Sequence, residues 1–154
     1  MTTESASSHP VAEARDPQPR HSIIRLLMRL RVELVDALDR ELEQFEITAP
    51  QLIVLGTVAG ETATSPAEIC KNISYDPGAM TRMIDRLEQK GLLKRIPNPS
   101  DCRATQLALT PAGKALYPQL LAAKDRVQAQ FLRGFSKDEV RQLEVLLNRM
   151  LANR

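Results

Sequence analysis

The chain has 154 residues, 43% of them hydrophobic and 26% charged, with a formal net charge of +2. That composition suits a single domain with an apolar core and a soluble surface, and it excludes an extreme polyanion or polycation. No apolar run approaches the roughly 18 residues of a membrane span, and the opening M-T-T-E-S-A-S-S-H-P lacks a charged segment followed by an apolar one, so a cytoplasmic location without membrane contact is expected.

Residues 1–21 are rich in Ser, Ala and Glu and broken by Pro10, Pro17 and Pro19, a pattern that predicts a flexible arm. Ser22 then caps a long helix reaching Glu46, with Leu27, Leu30, Leu34, Leu38, Leu42 and Phe45 on one stripe. Thr48 and Gln51 have the spacing of a capping box for a second helix through Val58, and Ser65, Pro66 and Glu68 repeat that signature for a short third.

The fourth segment runs from Asp76 as N-cap, through Pro77 at the first helical position, to Gly91 as the left-handed terminator. Met80, Met83, Ile84 and Leu87 recur at the spacing of a buried stripe, while Arg82, Arg86, Gln89 and Lys90 fall opposite. Such a cationic face, on the second helix of a helix-turn-helix, suits a DNA major groove, where Arg bonds guanine bidentately. Asp85 and Glu88 stand where ion pairs within the helix would form, so the charge alone does not separate this reading from an ordinary solvated face.

Two short strands follow, 92–96 and 105–109, around a loop P-N-P-S-D-C-R-A, which together predict a β-wing. Arg103 in that loop suits a narrow minor groove, and Asp101 either steadies it or shapes the turn. Residues 65–114 carry eight cations against five anions, so the basic footprint is local to this stretch.

Thr110 caps a further helix carrying Leu116, Leu120, Ala123, Val127 and Phe131, and Ser136 with Glu139 boxes a last one carrying Val140, Leu143, Leu146, Leu147 and Met150. The fold class expected is mainly α with a small β-wing: a winged helix-turn-helix over about 48–110, and terminal helices over about 22–46 and 110–152 as a dimerisation lobe. A helix from 22 to 46 would run about 37 Å past a core about 30 Å across, and a homodimer is the simplest cover for the apolar stripes it exposes. Two-fold symmetry in turn predicts a pseudo-palindromic site on double-stranded DNA.

The run from Asp76 through L-L-K-R-I-P-N-P-S-D-C-R-A to L109-T-P-A-G113 resembles MarR-family transcriptional regulators, most closely the multiple-antibiotic-resistance repressor subgroup, and the likeness in order extends from about Ser22 to the C-terminus. The resemblance implies DNA contacts at Asp76, Pro77, Gly78, Thr81, Arg82 and Arg86 on the recognition helix, and at Arg103, supported by Asp101, on the wing, with Lys94 nearby. Many members carry a cation where this chain has Cys102. The family pattern also implies repression relieved by a small aromatic or phenolic anion, for which Thr81 and Arg95, walled by Pro50 and Met83, are candidate contacts; Arg95 is equally placed for a phosphate or for Asp101.

Cys70, beside Ile69 and Ile73, reads as a packed thiol, whereas Cys102 next to Arg103 is a candidate oxidant sensor and supports redox regulation as the alternative mechanism. A winged-helix protein adaptor is a third reading. The sequence has no phosphate loop, no G-x-S-x-G elbow and no metal-ligand spacing around His9 or His21, so neither enzyme activity nor a cofactor or metal is expected.

Overall fold

The first leucine-striped segment forms α1 (Ile23–Leu42) and ends sooner than the sequence predicts: a single 3-10 turn, Glu43–Phe45, follows, and Glu46 takes a left-handed backbone with φ 54°. The cause lies across the corner, where the Asp39 carboxylate accepts the N–H of Ala49 and ties the last turns of α1 to the start of α2 (Ala49–Ala59). A straight helix to Glu46 would carry the chain away from that bond. The computed structural model describes residues 23–60, 64–73, 75–98 and 101–153, and for 72 and 101–103 the backbone alone. The arm, Ser22 and both histidines lie outside the described residues.

The remaining caps form as their spacing predicts. Gln51 Oε1 accepts the Thr48 N–H at 3.0 Å at the start of α2. At α3 (Pro66–Ile73), Ser65 N–H donates to Glu68 Oε2 at 3.1 Å and Glu68 N–H donates to Ser65 Oγ at 3.2 Å. At α4 (Pro77–Gln89), Asp76 Oδ1 accepts the Ala79 N–H at 2.8 Å, and beyond its far end Gly91 adopts φ 69°. Each such cap satisfies backbone donors that the first helical turn leaves without partners.

The wing is an antiparallel pair, β1 (Leu93–Asn98) and β2 (Asp101–Leu109), and both strands extend well into the stretch that the sequence reads as loop. Asp101, Cys102 and Arg103 thus lie on the backbone of β2. Pro97 pairs with Thr105 but Asn98 with Asp101, so residues 102–104 have no register partner in β1. Pro97 offers no N–H to the ladder and sits where that irregularity interrupts it. The base of β2 is held from its other side, where Leu107 N–H donates to Thr64 O at 2.8 Å.

α5 (Pro111–Phe131) begins against this sheet. Thr110 Oγ1 accepts the Gly113 N–H at 3.0 Å and donates to Gly91 O, while a Cβ on Gly113 would collide with the carbonyl of Leu92. The L-T-P-A-G motif is therefore a backbone-to-backbone clamp between the end of α4 and the start of α5. α6 (Lys137–Ala152) follows, with the Ser136–Glu139 box at its start.

One core joins Leu42 of α1, Val54 and Leu55 of α2, Ile69 of α3, Met80, Ile84 and Leu87 of α4, Leu107 of the wing and Leu120 of α5. It positions α4 and the wing as one body on the lower part of α1 and α5. Away from it the stripes are open: Met28 is 67% exposed and Leu151 58%, and α6 has no buried residue. Val140, Leu143, Leu146, Leu147 and Met150 are thus not enclosed within this chain. Among the described residues the architecture is mainly α with a two-stranded wing.

Candidate nucleic-acid interface

α4 buries Met80, Met83, Ile84 and Leu87 and leaves Thr81, Arg82 and Arg86 exposed. Its acidic residues do not neutralise those arginines. Arg95 on β1 reaches back across the corner, with Nη2 2.7 Å from Asp85 Oδ1, Nη1 bonded to Glu88 Oε2, and its own N–H donating to Glu88 Oε1 at 3.0 Å. The pairing expected within α4 is replaced by a staple from α4 to the wing. On a helix of 3.6 residues per turn, Asp85 and Glu88 occupy the flank facing β1, and Arg82 and Arg86 the other. Among the described residues neither Arg82 nor Arg86 makes an ion pair.

Of the other sequence-predicted residues, Asp76, Pro77, Gly78 and Thr81 lie at the start of α4. Asp76 caps α4, Pro77 is its first residue, and Gly78 lies beneath Arg82, whose Nη1 would be 3.7 Å from a Cβ there. Thr81 Oγ1 donates to Pro77 O at 3.0 Å. Lys94 is exposed on β1, and Lys90 pairs with Glu46 at 3.5 Å. Asp101, Cys102 and Arg103 contribute their backbone to the start of β2, at the far end of the ladder from Lys94.

At α3 the Ser65 N–H, then the Ser65 hydroxyl, then the Thr64 N–H hold the Glu68 carboxyl below the ordinary glutamate range. The helix that precedes α4 is thereby pinned at its start. Cys70 is half-buried against the core, as a packed thiol would be.

The candidate ligand contacts are dispersed. Met83 is in the core, Pro50 is half-buried in the first turn of α2, Thr81 is on the outer face of α4, and Arg95 is engaged with Asp85 and Glu88. A cavity of about 690 Å³ lies elsewhere, between α2, the wing and α5. A second, apolar cleft of about 490 Å³ is lined by residues of α1, α2, α5 and α6. Asp39 and the Arg95 staple were not legible as site-forming residues, since both act across elements and leave no periodic signal.

Among the described residues no helix is long and apolar enough to cross a membrane, and no group of three or more His, Cys, Asp or Glu side chains is placed to hold a metal ion.

A family model described as MarR family matches residues 47–105, from the corner before α2 to the wing. The chain is 39% identical over 116 residues to the multiple antibiotic resistance protein MarR of Escherichia coli K12, covering 74% of this chain and 80% of that protein. It is 35% identical over 128 residues to the protein of the same name from Salmonella typhimurium, covering 82% and 89%. A solved structure of a cysteine-to-serine variant of Escherichia coli MarR complexed with operator DNA superposes with a TM-score of 0.75 at 34% identity, covering 84% of this chain and 93% of that one.

Proposed function

The chain belongs to the MarR family of transcriptional regulators, which are not enzymes, and from that premise we propose that it is a homodimeric repressor of a pseudo-palindromic operator. The observation that carries the DNA reading is the division of charge on α4. Asp85 and Glu88 are drawn off by Arg95, which leaves Arg82 and Arg86 available to guanine edges. Asp76, Pro77, Gly78 and Thr81 place the helix start against the same groove, with Lys94 and Arg103, the latter supported by Asp101, against adjacent phosphates and the minor groove. The operator complex of the related protein supports this docking.

The dimer reading draws on the open stripes of α1 and α6 and on the apolar cleft between α1, α2, α5 and α6, which a second copy would cover. Release by a small aromatic or phenolic anion completes the proposal: such a ligand acts by favouring one spacing of the two winged domains over another. A coupling of about 1–3 kcal/mol would change operator affinity roughly 5- to 150-fold.

A gel-shift titration on the DNA upstream of its own gene, at two salt concentrations, tests this. Wild type is expected to give a selective, salt-dependent shift that salicylate relieves. Arg82→Ala and Arg86→Ala are each expected to cost about 1–3 kcal/mol and to relax base preference. Absence of a selective shift at low salt would favour a protein-binding adaptor, and relief by peroxide alone would favour control through Cys102.

A further inference from the structure

The last turns of α1 are bonded to two different elements. Asp39 Oδ1 accepts the Ala49 N–H at the start of α2, and Glu41 Oε2 accepts Arg126 Nε of α5 at 3.0 Å. Residues two apart on a helix stand about 200° apart around its axis, so the two carboxylates leave α1 on opposite sides. Glu41 ties α1 into the helical lobe, and Asp39 ties the winged unit, from α2 to β2, to that same stretch of α1.

The Asp39 bond is not what starts α2. That helix has its own cap in Gln51, which accepts the Thr48 N–H, so the bond to Asp39 is an added link between elements. Its donor is demanding: Ala49 is only 3% exposed, and a buried N–H without an acceptor is costly. Its acceptor is a carboxylate at the positive end of a helix, which makes the bond stronger than a neutral one. Leu42 of α1 shares the apolar core with α2 and α4, but such contact is non-directional and does not by itself set an angle.

The corner reaches α4 as well. Glu46, held at φ 54°, pairs with Lys90 just past the end of α4 at 3.5 Å. A residue other than glycine persists in that left-handed region only where its surroundings hold it there. The chain enters the winged unit at this corner and leaves it at the start of α5, where Thr110 N–H donates to Leu92 O at 3.0 Å. With both attachments bonded, the inclination of the unit to the lobe is set.

We propose that Asp39 is a positioning residue for operator binding: by holding the winged unit at one inclination, it fixes the spacing of half-sites that the dimer accepts. The inference rests on the reading of this chain as a homodimer on a pseudo-palindromic operator. The lever is long. On a unit about 30 Å across, a rotation of about 7° at the corner moves the far edge by about 3.5 Å, close to one base step along a strand. Without Asp39, water satisfies the Ala49 N–H only when the corner opens, so other inclinations become populated.

The full-length protein would be titrated by fluorescence anisotropy on three duplexes: the operator recovered by gel shift, and the same operator with its half-sites one base pair closer and one farther apart. Wild type, Asp39→Ala and Asp39→Asn would be compared after thermal melts and sedimentation establish folded dimers. Wild type is expected to favour the native spacing over either neighbour by about tenfold or more, and D39A by about threefold or less. D39N, whose amide oxygen accepts the same N–H, should match wild type. The ratio between duplexes does not depend on the fraction of active protein, so a loss of stability alone leaves it unchanged. D39A weakened by the same factor on all three would overturn the proposal, as would a D39N that follows D39A or a wild type indifferent to spacing. If D39A does not fold, Asp39→Leu, which keeps bulk without an acceptor, takes its place; failure of both while D39N folds would make the bond a requirement of folding and overturn the positioning role. Absence of any recoverable operator would refute the operator reading itself, whereas an unchanged ratio in D39A refutes only the role of Asp39.

Discussion

Arg95→Ala tests how the charge on α4 is organised. The side chains of Arg95, Asp85 and Glu88 are 36%, 44% and 27% exposed, so solvent screens the staple and each ion pair is worth at most about 1 kcal/mol. Because the Arg95 N–H remains on Glu88, the variant should lose about 1 kcal/mol of stability in all, a fall in Tm of about 2–4 °C for a chain of this size.

The effect on DNA should be larger than that loss suggests. Removing the guanidinium frees two carboxylates, and Asp85 is three residues from Arg82, a spacing at which it can pair with the arginine proposed for the groove. Operator affinity is expected to fall about tenfold, or about 1.4 kcal/mol, and the logarithmic salt slope to become shallower by about one. Fluorescence anisotropy on labelled operator at several salt concentrations reads both. Adding Asp85→Asn and Glu88→Gln to Arg95→Ala should restore most of the affinity, since the freed charges are then gone. If the triple variant binds as weakly as Arg95→Ala alone, Arg95 itself touches phosphate, and the reasoning from the staple is wrong.

Gly113→Ala should destabilise the protein by about 1–3 kcal/mol in denaturant titration, despite the roughly 1 kcal/mol helical advantage of Ala, because the new methyl meets the Leu92 carbonyl; a neutral result would show that the α4–α5 corner gives way. Leu146→Glu, on a helix with no buried residue, should leave the monomer folded but shift sedimentation from dimer to monomer and weaken operator binding, and a stable dimer of that variant would place the interface elsewhere. The backbone N–H and hydroxyl of Ser136 lower the Glu139 carboxyl, as Ser65 and Thr64 lower Glu68, from the ordinary 4.5. A carboxyl whose folded pKa is depressed adds stability above its unfolded pKa, and that stability is lost as pH falls through the folded value, so wild type should exceed Glu139→Gln in Tm at neutral pH and the gap should close as pH falls below the ordinary carboxylate range. A gap independent of pH would mean that the charge contributes nothing.

The parts of this fold that were legible in the sequence are those whose partners lie within one helical turn. Thr48, Ser65, Asp76, Thr110 and Ser136 each announce a helix because donor and acceptor are three residues apart, and the Met80–Leu87 stripe announces its buried face by period alone. The wing is longer than its sequence announces, because the Pro- and Asn-containing stretch 97–104 has the composition of a loop, whereas β2 is held by both β1 and Thr64 and carries the ladder past Pro97. An apolar stripe, in turn, indicates that a face seeks cover without saying what covers it: Leu87 is enclosed by its own chain and Leu146 is not, though both repeat at similar spacing.

The candidate site marks the same boundary more sharply. Opposite charges on one helix are ambiguous when counted along the chain, since Asp85 suits Arg82 as well as any external partner. Arg95 removes the ambiguity from seven and ten residues away, by a bond that exists only once the wing has folded back on α4. The basic character of the exposed face of α4 is therefore a tertiary property. It appears when the wing docks, and a substitution that loosens the wing should weaken DNA binding even with every groove-facing side chain intact.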